Sequence, residues 1–86
     1  MTGIESIAAE RKRQIEEEGW TPEHDDQWVS SQIADAASCY LEGSMWRWPW
    51  DKGWWKPTDR RRNLVKAGAL IAAEIDRLNR LERKPK

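Results

Sequence analysis

The segment from Ser44 to Pro57 holds five of the seven tryptophans of this 86-residue chain, together with two prolines. Proline removes a backbone N–H and disfavours helical backbone at the residue before it, so this segment excludes a regular helix. We therefore predict a long, ordered, Trp/Pro-rich loop. The alternation of Trp46, Trp48 and Trp50 is typical of a strand that presents one face, so the loop has room for one or two short strands.

Hydrophobic periodicity predicts three helices around this loop, so the expected fold class is mainly α. The first covers about residues 3–18, from a capping box of Thr2 and Glu5 to Gly19. The second covers about residues 26–42 and the third about residues 59–81. The expected caps of these two helices are Asp25 or Asp26 and Thr58 or Asp59, and Gly43 ends the second helix.

Each predicted helix has an apolar face. The third is apolar over so much of its circumference that we expect it to be central to the fold or shared across a dimer interface. The chain is expected to be one small domain, residues 1–86, with residues 82–86 as a frayed tail. The predicted faces comprise Ile4, Ile7, Ala8, Arg11 and Ile15; Trp28, Val29, Ile33, Ala36, Ala37, Tyr40 and Leu41; and Leu64, Ala67, Gly68, Ile71, Ile75, Leu78 and Leu81.

Composition excludes several classes of protein. Fifteen Lys and Arg balance fifteen Asp and Glu, which speaks against a globally basic nucleic-acid binder and a polybasic membrane anchor. No apolar run approaches the ~20 residues of a membrane span, and a single cysteine, Cys39, cannot form an internal disulfide. We therefore expect a cytoplasmic protein. We also expect it to self-associate, because a domain this small is marginally stable alone.

The first candidate site is the run from Gly19 to Asp26, where the only histidine, His24, stands beside carboxylates. A general-base role for His24 oriented by Asp25 or Asp26 is one interpretation, although no nucleophile or oxyanion motif accompanies it. The other interpretation is a turn in which an aspartate caps the second helix and Trp20 fills the core. We expect no metal site and no catalytic residue, because metal ligands usually come from separate elements.

The second candidate site is the Trp-rich loop with the basic residues that follow it. Indole faces stack on nucleobases, and guanidinium groups bind phosphates. The arginines at the start of the third helix oppose its dipole, which favours a nearby anion. The alternative is that tryptophans fill the core and Arg60 to Arg62 pair with Glu16 to Glu18. Zero net charge and acidic clusters argue against binding of duplex nucleic acid.

The sequence resembles two known groups of proteins. Gly19-Trp20, Asp25-Asp26, Trp48-Pro49-Trp50 and Asp59-Arg60 before Leu64-Val65-Lys66-Ala67 resemble the RyR-type repeat domain, although Thr21-Pro22-Glu23-His24 replaces its usual tyrosine-glycine and arginine. Glu-Gly-Trp-Thr-Pro-Glu-His-Asp-Asp, then Trp-Pro-Trp and Trp-Trp-Lys-Pro, are similar to a family of small phage and prophage proteins. This second resemblance implies a phage setting, hence the host cytoplasm, with no assigned activity.

A weaker resemblance is to the all-helical MazG-like nucleotide pyrophosphohydrolases, which bind metal through acids on two helices. Here the corresponding segment reads Asn63-Leu64-Val65-Lys66, and the second helix offers only Asp35 and Glu42. Divalent metal needs several clustered oxygens, so this pattern speaks against hydrolysis. A MazG-like nucleotide pyrophosphohydrolase is therefore the least favoured of three functional hypotheses.

The first hypothesis is a non-enzymatic module, without cofactor, that binds a nucleotide-like anion. The resemblance to phage proteins suggests that this module sequesters a host immune nucleotide signal. The second is a small inhibitor that binds a host defence protein through exposed Trp and Arg side chains. The predicted ligand-binding residues are Trp20, His24, Asp25, Asp26, Trp46, Trp48, Trp50, Trp54, Trp55, Lys56, Arg60 and Arg61.

Overall fold

The computed structural model describes residues 1–83, and within them the chain forms four α-helices. Helix α1 is Gly3–Glu17, α2 is Pro22–Asp25, α3 is Gln32–Glu42 and α4 is Arg60–Arg83. One 3-10 turn, Lys52–Trp54, lies in the Trp-rich loop. The mainly α class is confirmed.

Helix α1 begins and ends as predicted. Thr2 and Glu5 form a reciprocal capping box, and Gly19 adopts a left-handed backbone conformation with φ of 75° just after the helix. The predicted apolar stripe is wrong in part, because Ile4 is 83% exposed. Instead, α1 turns the side chains of Glu10 and Gln14 into the protein, where both are buried.

The predicted second helix, residues 26–42, ends as predicted, but its predicted start is wrong, because α3 is Gln32–Glu42. Thr21 accepts a hydrogen bond from the His24 N–H, and Pro22 starts the short helix α2. The chain then turns, with the Trp28 N–H donating to the Asp25 carbonyl at 3.1 Å, and α3 begins only after Ser31. The turn takes Trp28 out of the helix and into contact with other aromatic rings.

Helix α4 is central, as predicted, and packs against α1, α2 and α3. Small residues on α3 and α4 allow these two helices to lie close together around a compact core. Partly buried tryptophans cover this core from the loops. The core residues are Ile33, Ala36, Ala37, Tyr40, Ala67, Leu70 and Ala73, and the tryptophans packed against them are Trp20, Trp28, Trp48, Trp50 and Trp55.

The Trp-rich loop is held by hydrogen bonds rather than by strand pairing, and residues 44–59 contain no strand. The Trp48 Nε1–H donates to the Asp51 carbonyl at 3.0 Å, and the Asp51 carboxylate accepts from the Gly53 N–H. Further along, the Lys56 N–H donates to the Tyr40 hydroxyl at 3.2 Å. The one or two short strands that the sequence left room for are therefore not formed.

Asp59 caps α4, since its carboxylate accepts from the Arg62 N–H at 2.9 Å. The helix continues past the predicted end at residue 81 to Arg83. Residues 82 and 83 of the predicted frayed tail are thus helical, and residues 84–86 lie outside the described part of the chain. None of the helices within residues 1–83 combines the length and apolar character needed to cross a bilayer.

Candidate functional site

A pocket of about 410 Å³ opens between the end of α1, the short helix α2 and the Trp-rich loop. We call it the aromatic pocket. Its volume lies within the range of small-molecule sites, roughly 300–1,000 Å³. Five aromatic and two acidic side chains line it: Trp20, His24, Trp28, Trp50, Trp54, Glu18 and Asp51.

Two rings in the aromatic pocket are nearly parallel. The Trp20 and His24 planes differ by 8°, and their ring centroids are 6.5 Å apart. Trp50 is tilted against both Trp20 and Trp28, at centroid distances of 5.9 and 5.4 Å. The tilted rings form a wall beside the parallel pair, which makes the pocket suited to a flat ligand.

A buried ion pair positions the parallel rings. Arg11 on α1 donates one hydrogen bond to the Asp25 carboxylate at 2.7 Å and another to the Trp20 carbonyl at 3.1 Å. The other oxygen of Asp25 lies 3.3 Å from His24 Nδ1. Because an ionised carboxylate only accepts, this contact places the imidazole proton on Nδ1 and fixes the orientation of the ring.

Two hydrogen-bond donors in the pocket lining are unused. The indole Nε1–H groups of Trp28 and Trp50 are buried and have no hydrogen-bond partner within residues 1–83. A buried donor without a partner costs about 1–3 kcal/mol, and because these two nitrogens are shielded from solvent, a ligand in the pocket does not reach them without movement of the rings.

The acidic residues of the lining stand at one side of the pocket. Glu18 accepts a hydrogen bond from Arg13 at 3.2 Å and lies 3.8 Å from the Lys56 ammonium, so its charge is partly compensated. One Asp51 oxygen caps the 3-10 turn through Gly53. These carboxylates are acceptors, and they complement ligand groups that carry N–H donors.

A narrow, basic cleft adjoins the aromatic pocket, and we call it the lysine cleft. Glu18, Trp20 and Trp54 line both, so the two lie side by side. The cleft measures only about 20 Å³, room for about one water molecule. Its other lining residues are Glu10, Arg13, Gln14, Tyr40, Lys56 and Lys66.

Cations outnumber anions in the lysine cleft. Lys66 donates to the Lys56 carbonyl at 2.7 Å and lies over the Tyr40 ring, while the Lys56 ammonium lies over the Trp54 ring. Burial lowers the pKa of Lys66. The buried Gln14 Oε1 has no hydrogen-bond partner within residues 1–83.

Glu10 is the buried anion of the lysine cleft. Burial opposes its ionisation, but hydrogen bonds and charges from Arg13 and Arg62 outweigh that effect and hold the pKa of Glu10 below its usual value. Arg13 forms a bidentate pair with Glu10, and Arg62 reaches it from α4. Three charged groups are thereby held together in the wall of the cleft.

Several predicted site residues come together and others do not. Trp20, His24, Trp50 and Trp54 line the aromatic pocket, and Lys56 lines the lysine cleft. Asp25 lies buried behind the pocket.

The other predicted residues lie elsewhere. Asp26 pairs with Arg80 of α4 at 2.8 Å. Trp48 and Trp55 stack around Tyr40 against the core, as the core-filler alternative expected. Trp46 is exposed. Arg60 and Arg61 stand at the start of α4 and line neither the pocket nor the cleft.

Sequence reasoning missed Glu18, Trp28, Asp51 and Lys66 as site residues. Trp28 was assigned to the apolar face of a helix, so its place in the pocket depends on the turn that the sequence did not reveal. Asp51 carried a local signal, since an aspartate two residues before a glycine is typical of a turn. Lys66 carried none, because it is one charge on a long helix.

Comparison with known proteins yields no match to a family model, to a curated protein or to a solved structure. Within residues 1–83, no three His, Cys, Asp or Glu side chains cluster in a way that could hold a metal ion. The aromatic pocket and the lysine cleft are therefore the features of this protein that indicate its function.

Proposed function

We propose that this protein binds a nucleotide-like ligand, with the base in the aromatic pocket and the phosphate at the mouth of the lysine cleft. The observation that carries the proposal is the parallel pair of Trp20 and His24 beside a cluster of lysines. The Trp20 and His24 planes differ by 8° and both rings line the pocket, so they present similarly oriented faces on which a flat base can stack.

The polar groups of the aromatic pocket match the edge of a nucleobase. Nucleobases carry ring nitrogens and carbonyls that accept hydrogen bonds, and N–H groups that donate them. The carboxylates of Glu18 and Asp51 line the pocket and would accept from the N–H groups of the base. A purely apolar ring would leave these carboxylates without a ligand partner.

The lysine cleft supplies the charge for a phosphate. A cleft with room for one water molecule cannot enclose a phosphate, so the anion would lie at its mouth, where the Lys56 side chain is 56% exposed. Lys66 and Arg13 stand behind Lys56 in the cleft wall. This arrangement differs from the role that the sequence suggested for Arg60 and Arg61, which line other parts of the surface.

Binding without conversion is part of the proposal. A protein that only binds a nucleotide lowers its free concentration, which is how a small phage-type protein could sequester a host immune nucleotide signal. Such a module would release its ligand unchanged. Chromatography of the bound nucleotide after long incubation with magnesium would test this, and recovery of cleaved product would contradict it.

The direct test is a calorimetric titration with nucleoside monophosphates of all four bases, cyclic nucleotides, ADP-ribose and the matching nucleosides. We expect one base class to bind, to quench tryptophan fluorescence and to raise the melting temperature. We also expect the nucleotide to bind more tightly than its nucleoside. Tetramethylammonium serves as the opposing probe, because an aromatic pocket with carboxylates can also hold a cation.

The outcomes separate the two parts of the site. Binding of nucleotide and nucleoside with equal affinity would contradict phosphate binding at the lysine cleft. It would still support binding of the base in the aromatic pocket. Binding of tetramethylammonium with no response to any nucleotide would contradict the nucleotide proposal.

A second candidate function is inhibition of a host protein, and the tip of the Trp-rich loop favours it. Trp46 is 88% exposed and lies in a turn next to the exposed Met45 and Arg47. Tryptophan and arginine are the residues most enriched in interface hot spots. A partner protein captured by the native chain and by Trp20→Ala, but not by Trp46→Ala, would support this function; capture by all three would contradict it.

A further inference from the structure

Helix α4 carries an apolar stripe that faces away from the core. Leu64, Ile71, Ile75 and Leu78 are 37%, 48%, 52% and 42% exposed. They recur at intervals of seven, four and three residues, which keeps them on one side of a helix. Soluble monomers seldom expose a contiguous row of large aliphatic side chains, so this stripe needs a partner surface.

Apolar residues of the two neighbouring helices widen the stripe. Leu41 of α3 is 53% exposed and lines a shallow apolar groove of about 260 Å³ with Ile71 and Ile75. On the other side, Ile7 of α1 lies against Gly68, and the exposed Ile4 is one helical turn before Ile7. Together these residues of α1, α3 and α4 form an apolar surface, here called the α4 face. It lies on the side of α4 opposite the buried core positions.

We infer that the α4 face binds a second copy of this chain, with the two α4 helices antiparallel and related by a two-fold axis near Ile71. Positions equally far before and after the axis then meet. Leu64 and Leu78 are each seven residues from Ile71, so Leu64 packs against the partner's Leu78, and Ile71 packs against itself. A two-fold interface requires this kind of self-complementarity.

Charge at the ends of the α4 face favours the antiparallel arrangement. Arg60 and Glu82 are each eleven residues from Ile71, and both are exposed. Neither forms an ion pair within residues 1–83, and the same holds for the neighbouring Arg61 and for Asp76. An antiparallel partner brings the basic start of one helix beside the acidic end of the other. A parallel partner would place Arg60 against the partner's Arg60.

The size of the α4 face meets the requirement of a specific interface. Residues 64–82 extend about 27 Å along α4 at 1.5 Å per residue, and two neighbouring helices present a width of roughly 20 Å. The face therefore offers about 500 Å² per copy, or about 1,000 Å² in the dimer, the lower bound for a stable specific contact. The aromatic pocket lies outside this face, so the inference is independent of the proposed ligand.

Sedimentation velocity over a concentration series tests the association. We expect a monomer–dimer equilibrium that Ile71→Glu weakens at least about 100-fold, because it buries a carboxylate in an apolar contact. Ile71 is half-exposed in the single chain, so the variant should keep its melting temperature at monomeric concentration. The control is Val29→Glu, a more exposed aliphatic position outside the α4 face, which should dimerise normally. A native chain that stays monomeric, or a dimer that Ile71→Glu leaves intact, would overturn the inference.

Two further variants test the orientation. Arg60→Glu should weaken the dimer about two- to tenfold at low salt, and Glu82→Arg in the same chain should restore it. Mild oxidation should link Ile71→Cys chains to each other and link chains that carry Leu64→Cys with Leu78→Cys. Asn79→Cys, on another side of α4, should stay unlinked. Crosslinking of Leu64→Cys chains alone would show a parallel pair and overturn the register.

Discussion

The Trp20 indole lies parallel to the His24 imidazole, within 8°, although the two residues stand on opposite sides of a proline. Arg11 holds this arrangement from a third position, because it binds both the Trp20 carbonyl and the Asp25 carboxylate that contacts His24. The spacing of the rings is thus set by α1 and α2 together.

Replacing one of the parallel rings should weaken ligand binding. Base–aromatic stacking contributes about 1–3 kcal/mol, so Trp20→Ala should raise the Kd for the preferred nucleotide about 5- to 150-fold. Trp20 also packs against the core, so His24→Ala serves as a second variant with a smaller expected loss. Calorimetry measures both, with Trp46→Ala as the control, since that exposed ring is outside the pocket. Equal losses in all three variants would contradict the assignment.

Removing the charge of Lys66 should weaken the binding of the nucleotide and leave the binding of the nucleoside unchanged. Lys66→Met keeps the length of the side chain and removes the ammonium, so the Kd for the nucleotide should rise about tenfold while that for the nucleoside stays constant. Titrations at low and high salt should show that the difference shrinks as salt screens the phosphate. The control is Lys12→Met, an exposed lysine paired with Glu16 on α1. A loss that is the same for nucleoside and nucleotide would mean that Lys66 acts on structure.

Acid should destabilise the fold through Glu10. Its pKa is lowered in the folded protein, so the stabilisation is present above the unfolded-state value near 4.5 and is lost as the pH falls through the folded value. Glu10→Gln should lower the free energy of unfolding at pH 7 by about 1–3 kcal/mol, because Arg13 and Arg62 lose their buried counter-charge.

The difference in the free energy of unfolding between Glu10→Gln and the native chain should narrow as the pH falls below 4.5 and through the lowered pKa of Glu10, where the native carboxylate becomes protonated. Urea unfolding at pH 3, 5 and 7 measures it, and Glu16→Gln, an exposed position, should show no such dependence. A difference that stays constant with pH would exclude ionised Glu10 as the source.

Gly68 should resist enlargement. A Cβ at this position would lie 2.6 Å from Ile7 Cδ1 and 2.8 Å from Ile7 Cγ1. Gly68→Val should therefore lower the free energy of unfolding by about 1–3 kcal/mol, and Ile7→Ala in the same chain should recover part of the loss. Gly3→Val, which has open space around its Cβ, is the matched control for thermal unfolding. Additive losses in the double variant would contradict direct contact between α1 and α4 at Gly68.

Local signals predicted the parts of this protein that depend on neighbouring residues in the chain. The capping box at Thr2 and Glu5, the left-handed glycines at residues 19 and 43 and the Asp59 cap all depend on hydrogen bonds within a few residues. The helical class and the central position of α4 followed from periodicity, since apolar residues recur over more than twenty positions. The Trp-rich loop was also predicted from a local effect, because each proline restricts the backbone at its own position and at the residue before it.

The tertiary structure alone decided which side chains share a site. Trp28 entered the aromatic pocket because it lies in the turn between the short helix α2 and α3, whereas periodicity placed it on the apolar face of a helix over residues 26–42. Glu10 is buried, and part of its counter-charge comes from Arg62, fifty-two residues later, across the helix pair. Such contacts depend on which helices and loops lie close together in space. One sequence read by itself does not show which elements these are.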